Sequence, residues 1–414
     1  MKLAEVLALD AKDPLAHRRD EFELPEATIY LDGNSLGCLP KAARLRAGEV
    51  VVQQWGQDLI KSWNQYGWMD LPLHVGEKIA GLIGAAPGQT ICCDSISVNL
   101  FKLLSAAIRL QPGRSLILST QDNFPSDLYI VQGLSEQLGA DRVQLKLVEE
   151  DAIEQQLDER GEQIAVLLLT QVNFRTGHLL DMARLTRRAH ELGILVLWDL
   201  AHSVGVIPIA LDEYAVDFAV GCSYKYLNGG PGAPGFLYVA SRHQAKLSQP
   251  LSGWMGHESP FDFSAEYRPA PGIARFLTGT PPVLSMSVLD AALEVFREID
   301  VQTLRDKSLA LAELFIVLVQ QYPVLSSLLP AFPQESCQRG AQLAYRHPQA
   351  YAICQALITA GVVADFRAPD MLRFGFSPLY LRYEDIWYSV ERLVRIMTTE
   401  AWRDTLSLPR SKVT

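Results

Sequence analysis

Between about residue 85 and residue 280, the hydrophobic residues fall into short, nearly continuous runs separated by helical periods. Six runs predict β-strands, at 115–120, 143–148, 164–170, 195–200, 218–222 and 235–240. Continuous runs, rather than alternating ones, favour strands that helices cover on both faces. Between them, residues 182–192 have helical spacing and stop at Gly193, a typical helix end. The repeated β-α-β order predicts a mainly parallel sheet, with functional groups at the carboxyl ends of its strands.

The pattern changes after about residue 282 and predicts a second, smaller domain. Residues 285–322 are largely helical, 342–373 mix short strands with a helix, and 386–397 are helical again. Residues 1–23 read as a short amphipathic helix without the apolar core of a signal peptide. We therefore expect an N-terminal segment (1–50) that joins the small domain, a large α/β domain (51–282) and a small α+β domain (283–414).

Composition and charge narrow the class of protein. The 414 residues include 37 basic and 47 acidic ones, a net charge of −10, so there is no basic excess for binding nucleic-acid phosphates. The longest aliphatic run, 314–319, is far shorter than the ~20 residues that span a bilayer. The six cysteines form no CxxC pair, which favours free thiols over disulfides or a metal site. We expect a cytoplasmic protein that binds no nucleic acid, membrane or metal.

Two residues at neighbouring strand ends suggest imine chemistry. Lys225 follows the strand predicted at 218–222 and precedes a loop rich in glycine and proline; an amine held in a cleft there is suited to imine formation. Asp199 ends an apolar run, where an unpaired carboxylate is costly and is stabilised opposite a protonated ring nitrogen. This lysine and aspartate are typical of pyridoxal-phosphate enzymes. Asp199 could also be the N-cap of a helix that follows it, and His202 could be either a core histidine or a cofactor contact.

Candidates for the phosphate and ring contacts lie earlier in the chain. Residues 95–102 (SISVNLFK) begin a predicted helix, and a helix N-terminus binds anions through its free N–H groups and dipole. Serine there is also an ordinary N-cap. After the strand predicted at 115–120, Phe124 and Asp127 add an aromatic ring and a carboxylate. Phe124 could stack on a flat heterocycle or pack in the core.

Eight segments occur in an order that resembles the kynureninase family, which belongs to the fold-type-I pyridoxal-phosphate enzymes near the class-V aminotransferases. They are 30–37 (YLDGNSLG), 94–100 (DSISVNL), 124–127 (FPSD), 174–177 (FRTG), 198–202 (WDLAH), 223–232 (SYKYLNGGPG), 253–257 (GWMGH) and 276–282 (FLTGTPP). The resemblance spans nearly the whole chain. It implies pyridoxal 5'-phosphate as cofactor and a mainly parallel seven-stranded sheet flanked by helices. The implied reaction is hydrolytic cleavage of L-kynurenine to anthranilate and L-alanine, in tryptophan catabolism or NAD biosynthesis.

The resemblance also implies roles for individual residues. The implied cofactor contacts are Ile96, Ser97, Phe124, Asp127, Thr170, Asp199, His202, Tyr224, Lys225, Trp254 and Thr280. Lys225 would bind the cofactor as an imine and remove the substrate α-proton, Asp199 would pair with the pyridine nitrogen, and Tyr224 would assist the phosphate and relay protons. Trp254 and Thr280 would reach the cofactor of the partner subunit, so that the site requires a homodimer.

The substrate contacts that the resemblance implies come from the two ends of the chain. Arg373, in 371–377 (MLRFGFS), matches the arginine that binds the substrate α-carboxylate, and a guanidinium suits this task through two parallel hydrogen bonds. Asn34 and Ser35 are expected to line the substrate pocket. Thr280 stands where animal members carry asparagine, which resembles the bacterial form and favours L-kynurenine over 3-hydroxy-L-kynurenine.

Two alternatives stay open at the level of sequence. A cysteine desulfurase or small-amino-acid transaminase would share the fold, and a desulfurase needs a nucleophilic thiolate. Cys337 is the cysteine best placed for that role, but its polar surroundings contain no recognisable activating group. A non-catalytic pyridoxal-phosphate-binding protein is the other alternative, although such a protein would need neither Arg373 nor Tyr224.

Overall fold

The computed structural model describes residues 1–406 and residue 409. Its α-helices are α1 (Leu3–Asp10), α2 (Lys41–Glu49), α3 (Ser62–Gln65), α4 (Leu71–Leu82), α5 (Ile96–Leu110), α6 (Pro125–Leu138), α7 (Ile153–Arg160), α8 (Met182–Glu191), α9 (Ser241–Gln244), α10 (Val283–Ala292), α11 (Val301–Gln320), α12 (Ala350–Thr359) and α13 (Tyr383–Thr398). Short 3-10 turns and one π-helical segment, Val50–Asp58, connect some of them. Among the described residues, no helix is both long and apolar enough to cross a membrane.

Most of the strands belong to two main sheets. The strands are β1 (Phe22–Glu23), β2 (Ile29–Tyr30), β3 (Leu39–Pro40), β4 (Thr90–Cys92), β5 (Leu116–Thr120), β6 (Gln144–Val148), β7 (Ile164–Thr170), β8 (Leu195–Asp199), β9 (Phe218–Cys222), β10 (Gly235–Val239), β11 (Leu329–Pro330), β12 (Gln342–Arg346), β13 (Val362–Val363), β14 (Asp365–Arg367) and β15 (Met371–Gly375). The large sheet has seven strands in the order β4-β10-β9-β8-β7-β5-β6. The seven-stranded, mainly parallel sheet expected from the sequence is confirmed.

One strand of the large sheet runs against the others. β10 is antiparallel to both β9 and β4, while β5 to β9 pair in parallel. No helix lies between β9 and β10, and a strand without a crossover must return in the opposite direction. The first residue of β10, Gly235, therefore lies at the same edge as the last residues of β5, β7, β8 and β9. This edge collects the functional candidates.

The remaining strands lie near the two ends of the chain. A four-stranded antiparallel sheet has the order β11-β12-β15-β14. The N-terminal segment joins this region because β2 pairs in parallel with β13, with Val362 opposite Ile29 and Val363 opposite Tyr30. Packing of α1 against α13 adds a second contact. The boundaries at residues 50 and 282 stay a prediction.

Candidate functional site

A cavity of about 150 Å³ lies at the carboxyl edge of the large sheet. Nine of the residues expected from the sequence line it: Ile96, Ser97, Phe124, Asp127, Thr170, Asp199, His202, Tyr224 and Lys225. They end or follow β4, β5, β7, β8 and β9, whose carboxyl ends lie at the same edge of the sheet. A larger cleft of about 620 Å³ surrounds Glu150 and His178, but none of the predicted site residues is among its lining residues. The parallel strands thus bring together side chains that are up to 129 positions apart in the chain.

Lys225 is buried in the cavity, and its backbone is held by the loop that follows it. Asn228 N donates to Lys225 O at 2.9 Å, and Gly229 N donates to Ser223 O at 2.8 Å. The Lys225 amine lies 2.9 Å from His202 Nε2 and 5.8 Å from the centre of the Phe124 ring. Lys225 is therefore a buried lysine rather than a solvated one at the surface.

Asp127 and Asp199 place two carboxyl groups in the same cavity. Burial and the Asp199 charge raise the pKa of Asp127 well above its ordinary range, and burial also raises the pKa of Asp199. Asn123 Nδ2 donates to Asp127 Oδ2 at 3.0 Å, but none of the residues that the structure describes donates to Asp127 Oδ1. Two buried carboxyl groups cannot both ionise beside a single lysine. We therefore assign the proton to Asp127 and the negative charge to Asp199.

The Asp199 side chain also makes a local backbone contact. Its Oδ1 accepts from Ala201 N at 2.8 Å, as an aspartate at a turn commonly does. The helix-capping alternative is therefore partly realised, but in a turn rather than at an α-helix.

Thr170, one strand away, donates from its N and Oγ1 to Asn123 Oδ1, both at 2.7 Å.

The part of the cavity that is lined by the start of α5 is suited to an anion. α5 begins here with Ser95 as N-cap, whose Oγ accepts from Val98 N at 3.4 Å. The N–H groups of the first turn, which include those of Ile96 and Ser97, have no partner within the helix. A Cβ added to Gly235 would lie 3.2 Å from Ile96 N, so a larger residue there would crowd the helix start. The cavity therefore suits a flat ring with a protonated nitrogen near Asp199 and a phosphate near α5.

Tyr224 lines the cavity beside Lys225. Burial raises the pKa of its phenol, and the neighbouring Cys222 adds to the effect. The phenol therefore stays protonated at neutral pH and can donate its proton. Its hydrogen bond to the phosphate stays a prediction, since its phenol here interacts with the Cys222 thiol.

Arg373 is buried in β15 rather than exposed to solvent. Its Nε donates to Asp365 Oδ2 at 2.8 Å, its NH1 donates to Phe174 O, and its NH2 lies 3.4 Å from Ser35 Oγ. Phe174 also lines the cavity, so Arg373 lies directly behind the wall of the predicted cofactor site. Burial lowers the pKa of Arg373, but the Asp365 carboxylate keeps it a cation.

Asn34 and Ser35 lie near Arg373 rather than among the cavity-lining residues. Asn34 is fully buried, and within residues 1–406 and 409 neither polar atom of its side chain has a hydrogen-bond partner. A Cβ added to Gly375 would lie 2.1 Å from Asn34 Oδ1, so glycine is required beside it. Burial and the Asp365 charge raise the pKa of the neighbouring Asp32 to about 7. Together these residues form a polar pocket around the arginine.

Trp254 and Thr280 are not among the lining residues of the cavity. Both are exposed on this chain, Trp254 at 40%. The Trp254 ring packs edge-on against Phe261, which in turn contacts Phe263. These three aromatic residues form an exposed apolar surface of the kind that marks protein contacts.

Sequence reasoning missed four residues that organise the site. Asn123 connects Asp127 to Thr170, Asp365 holds Arg373, Phe174 supplies a shared carbonyl, and Gln342 contacts His202 at 3.1 Å. Asn123 precedes the segment 124–127 and Phe174 begins the segment 174–177, so both could have been proposed from the sequence. Gln342 meets His202 across 140 positions, whereas Asp365 meets Arg373 on the neighbouring strand. No local pattern marks either residue.

Comparisons with known proteins agree with this geometry. A family model described as the kynureninase C-terminal domain matches residues 304–393. The chain is 49% identical over 414 residues to the kynureninase of Burkholderia pseudomallei strain 1106a, with 99% of both chains covered. It is 48% identical over 402 residues to that of Deinococcus radiodurans, covering 96% of this chain and 97% of the relative.

Solved structures show the same fold at low sequence identity. A cysteine desulfurase from Thermococcus onnurineus NA1 superposes with a TM-score of 0.79 at 16% identity, covering 92% of this chain and 98% of the other. A C-DES mutant with glycine covalently linked to its PLP cofactor gives 0.78 at 19% identity, covering 91% and 98%. The fold is that of the fold-type-I pyridoxal-phosphate enzymes, as predicted.

Proposed function

The chain belongs to the kynureninase family, and from this premise we propose that the cavity around Lys225 is the site at which L-kynurenine is hydrolysed to anthranilate and L-alanine. The cofactor of the family is pyridoxal 5'-phosphate. The single observation that carries the assignment is the convergence of Lys225, Asp199 and the N-terminus of α5 on one cavity. A cofactor with an aldehyde, a pyridine nitrogen and a phosphate has one group for each of them.

Each residue would hold a different part of the cofactor. The Lys225 amine would bond to the aldehyde carbon, and the Asp199 carboxylate would keep the pyridine nitrogen protonated. The N–H groups of Ile96 and Ser97 would bind the phosphate, and Phe124 would pack against the ring. When bound, the cofactor supplies an electron sink for the charge that develops at the substrate α-carbon.

The protein supplies binding and proton transfer. Arg373 would bind the substrate α-carboxylate through its guanidinium, which orients the α-carbon toward Lys225. Lys225, released from the cofactor when the substrate amine takes its place, would then remove the α-proton. Cleavage between Cβ and Cγ requires water to add to the γ-carbonyl, so that Cγ leaves as the carboxyl carbon of anthranilate, and a proton to complete Cβ as the methyl group of L-alanine. Tyr224 would donate that proton, because its phenol stays protonated.

We extend the proposal to the assembly and the cellular role. Trp254 and Thr280 are exposed on the single chain and would complete the site of a partner subunit in a homodimer. The exposed aromatic surface around Trp254 supports this arrangement, since association would bury it. The cysteine pattern favours work in the cytoplasm, and the reaction places the enzyme in tryptophan catabolism or in the supply of a precursor for NAD.

The desulfurase alternative is not favoured. Cys337, the cysteine it would require, lies in a separate cleft with Leu179 and Arg184 and is absent from the residues that line the cavity of Lys225. Replacing Cys337 with serine should therefore leave the hydrolysis of L-kynurenine unchanged.

The direct test is anthranilate release from L-kynurenine, followed by fluorescence, on protein reconstituted with pyridoxal phosphate. Lys225→Ala should lose both turnover and the visible absorption of the bound cofactor. Lys78→Ala is the matched control, because Lys78 pairs with Asp290 and Glu294 outside the cavity and should keep both. A Lys225→Ala protein that stays coloured and active would exclude the proposal. Running 3-hydroxy-L-kynurenine in parallel tests whether Thr280 accompanies a preference for the unsubstituted substrate.

A further inference from the structure

The orientation of the Gln342 side chain follows from its neighbours. Gln342 is the first residue of β12, is 1% exposed, and pairs across the sheet with Gly375. Its Nε2 donates to Phe174 O at 2.9 Å and to Asn173 O at 3.4 Å. Because backbone carbonyls only accept hydrogen bonds, the amide nitrogen must face them. The Gln342 Oε1 atom must therefore face His202.

This orientation determines which nitrogen of His202 carries the proton. Burial, with the positive charges of Lys225 and Arg373, lowers the pKa of His202 well below its ordinary value, so the imidazole is neutral. His202 Nδ1 lies 3.1 Å from Gln342 Oε1. Since Oε1 can only accept, Nδ1 must be the protonated nitrogen. The lone pair of His202 is therefore on Nε2.

The lone pair of Nε2 faces the lysine of the proposed function. Lys225 Nζ lies 2.9 Å from His202 Nε2, and the amine is the donor. We propose that Gln342 is a positioning residue for Lys225, because it holds His202 in the tautomer that accepts a hydrogen bond from the lysine amine. The inference rests on the proposed function, in which Lys225 captures the cofactor.

The same side chain connects this contact to the substrate pocket. Phe174 O, which accepts from Gln342, also accepts from Arg373 NH1. Gln342 thus lies between the guanidinium expected to bind the carboxylate and the amine expected to bind the cofactor. Its place on a buried strand gives it little freedom to move, which suits a group that orients others.

The test measures cofactor capture by the full-length chain after the cofactor has been removed. Pyridoxal phosphate is mixed with the protein, and the rate constant for growth of the bound cofactor's absorption is recorded by stopped flow. Gln342→Met removes the amide but keeps the length and volume of the side chain. Gln244→Met is the matched control, because Gln244 is also buried and donates to Gly88 O and Val239 O, at the far end of β10.

The role through His202 is isolated by a double-mutant cycle. Gln342→Met alone should lower the rate constant about two- to tenfold, the factor that corresponds to one neutral hydrogen bond. In a His202→Phe background, the same change should have less than about a twofold effect, since no imidazole remains to be oriented. Should His202→Phe not fold, as judged by thermal melting, His202→Asn serves as the background.

Each outcome has a distinct meaning. A rate constant for Gln342→Met that equals that of Gln244→Met would overturn the inference. So would an equal loss with and without the imidazole, because it would show a merely structural role. Lys225→Ala is run in the same assay: if it captured the cofactor as the unmodified chain does, the proposed function itself would fail. If Lys225→Ala loses cofactor capture as expected but Gln342→Met has no effect on the rate constant, only the role of Gln342 is rejected and the proposed function stands.

Discussion

Replacing Asp365 with asparagine tests how the pocket around Arg373 is stabilised. Both side chains of this ion pair are 1% exposed, so water can replace neither partner. Asparagine keeps the shape of the side chain but removes the charge that compensates the buried guanidinium. Arg367 also pairs with Asp365, at 3.1 Å, but its side chain is 37% exposed and can turn to water.

The expected size of the effect follows from this burial. Removing one partner of a buried ion pair costs about 3–5 kcal/mol. Asparagine still accepts one hydrogen bond from Arg373, so we expect the lower end, a loss of about 3 kcal/mol in the free energy of unfolding. Adding Arg373→Met to Asp365→Asn should recover most of the loss, because no uncompensated charge then stays buried.

The assay is urea unfolding of the full chain, with cofactor content held the same in every sample. Glu400→Gln is the control, since Glu400 pairs with Arg403 on the surface and its loss should leave the unfolding midpoint unchanged. The reasoning is refuted if Asp365→Asn unfolds within about 1 kcal/mol of the unmodified chain, or if the double variant is less stable than Asp365→Asn alone.

Three further predictions concern the assembly, the two carboxyl groups and acid stability. Mixing inactive Lys225→Ala and Trp254→Ala chains should restore about one quarter of the sites, because each hybrid dimer has one intact site; no recovery of anthranilate release would place Trp254 in its own chain's site. Asp127→Asn should retain cofactor binding, because burial raises the pKa of Asp127 and its carboxyl group is already neutral. Asp199→Asn should instead reduce turnover, measured as anthranilate release, about 100-fold or more. An equal loss of turnover in the two variants would contradict the assignment of the proton to Asp127. Although burial alone would raise it, hydrogen bonds from two histidines hold the pKa of Asp217 below its ordinary value. Its ionised form therefore stabilises the fold above about pH 4, and this contribution is lost as the pH falls further. The stability difference between Asp217→Asn and the unmodified chain, measured by thermal melting, should shrink over that range; a constant difference would exclude the linkage.

Much of the fold could be predicted because its signals are local. The apolar runs predicted the ends of six strands to within one residue, since a strand buried on both faces must be apolar throughout. The helix predicted at 182–192 ends one residue earlier, at Glu191, and Gly193 adopts the left-handed backbone conformation that a helix stop favours, with φ +69°. The seven-stranded sheet then placed the strand-end residues at one edge.

The residues of the site also divide into those that local sequence signals could predict and those that they could not. Lys225, Asp199 and Ser95 could be found because each follows or ends a recognisable element, and parallel strands bring such positions together. Pairs of residues that are far apart in the chain could not be found. Gln342 meets His202 across 140 positions and Asp365 meets Ser35 across 330, and no periodicity extends over such distances.

The sequence by itself thus determined the elements, their order and the residue types able to do the chemistry. Only the tertiary structure decided which charges are compensated, which nitrogen of His202 carries its proton, and that Asp127 rather than Asp199 is neutral. The physical reason is that strand and helix formation depends on residues a few positions apart, whereas protonation and hydrogen bonding depend on burial and on the partners that folding brings within about 3 Å.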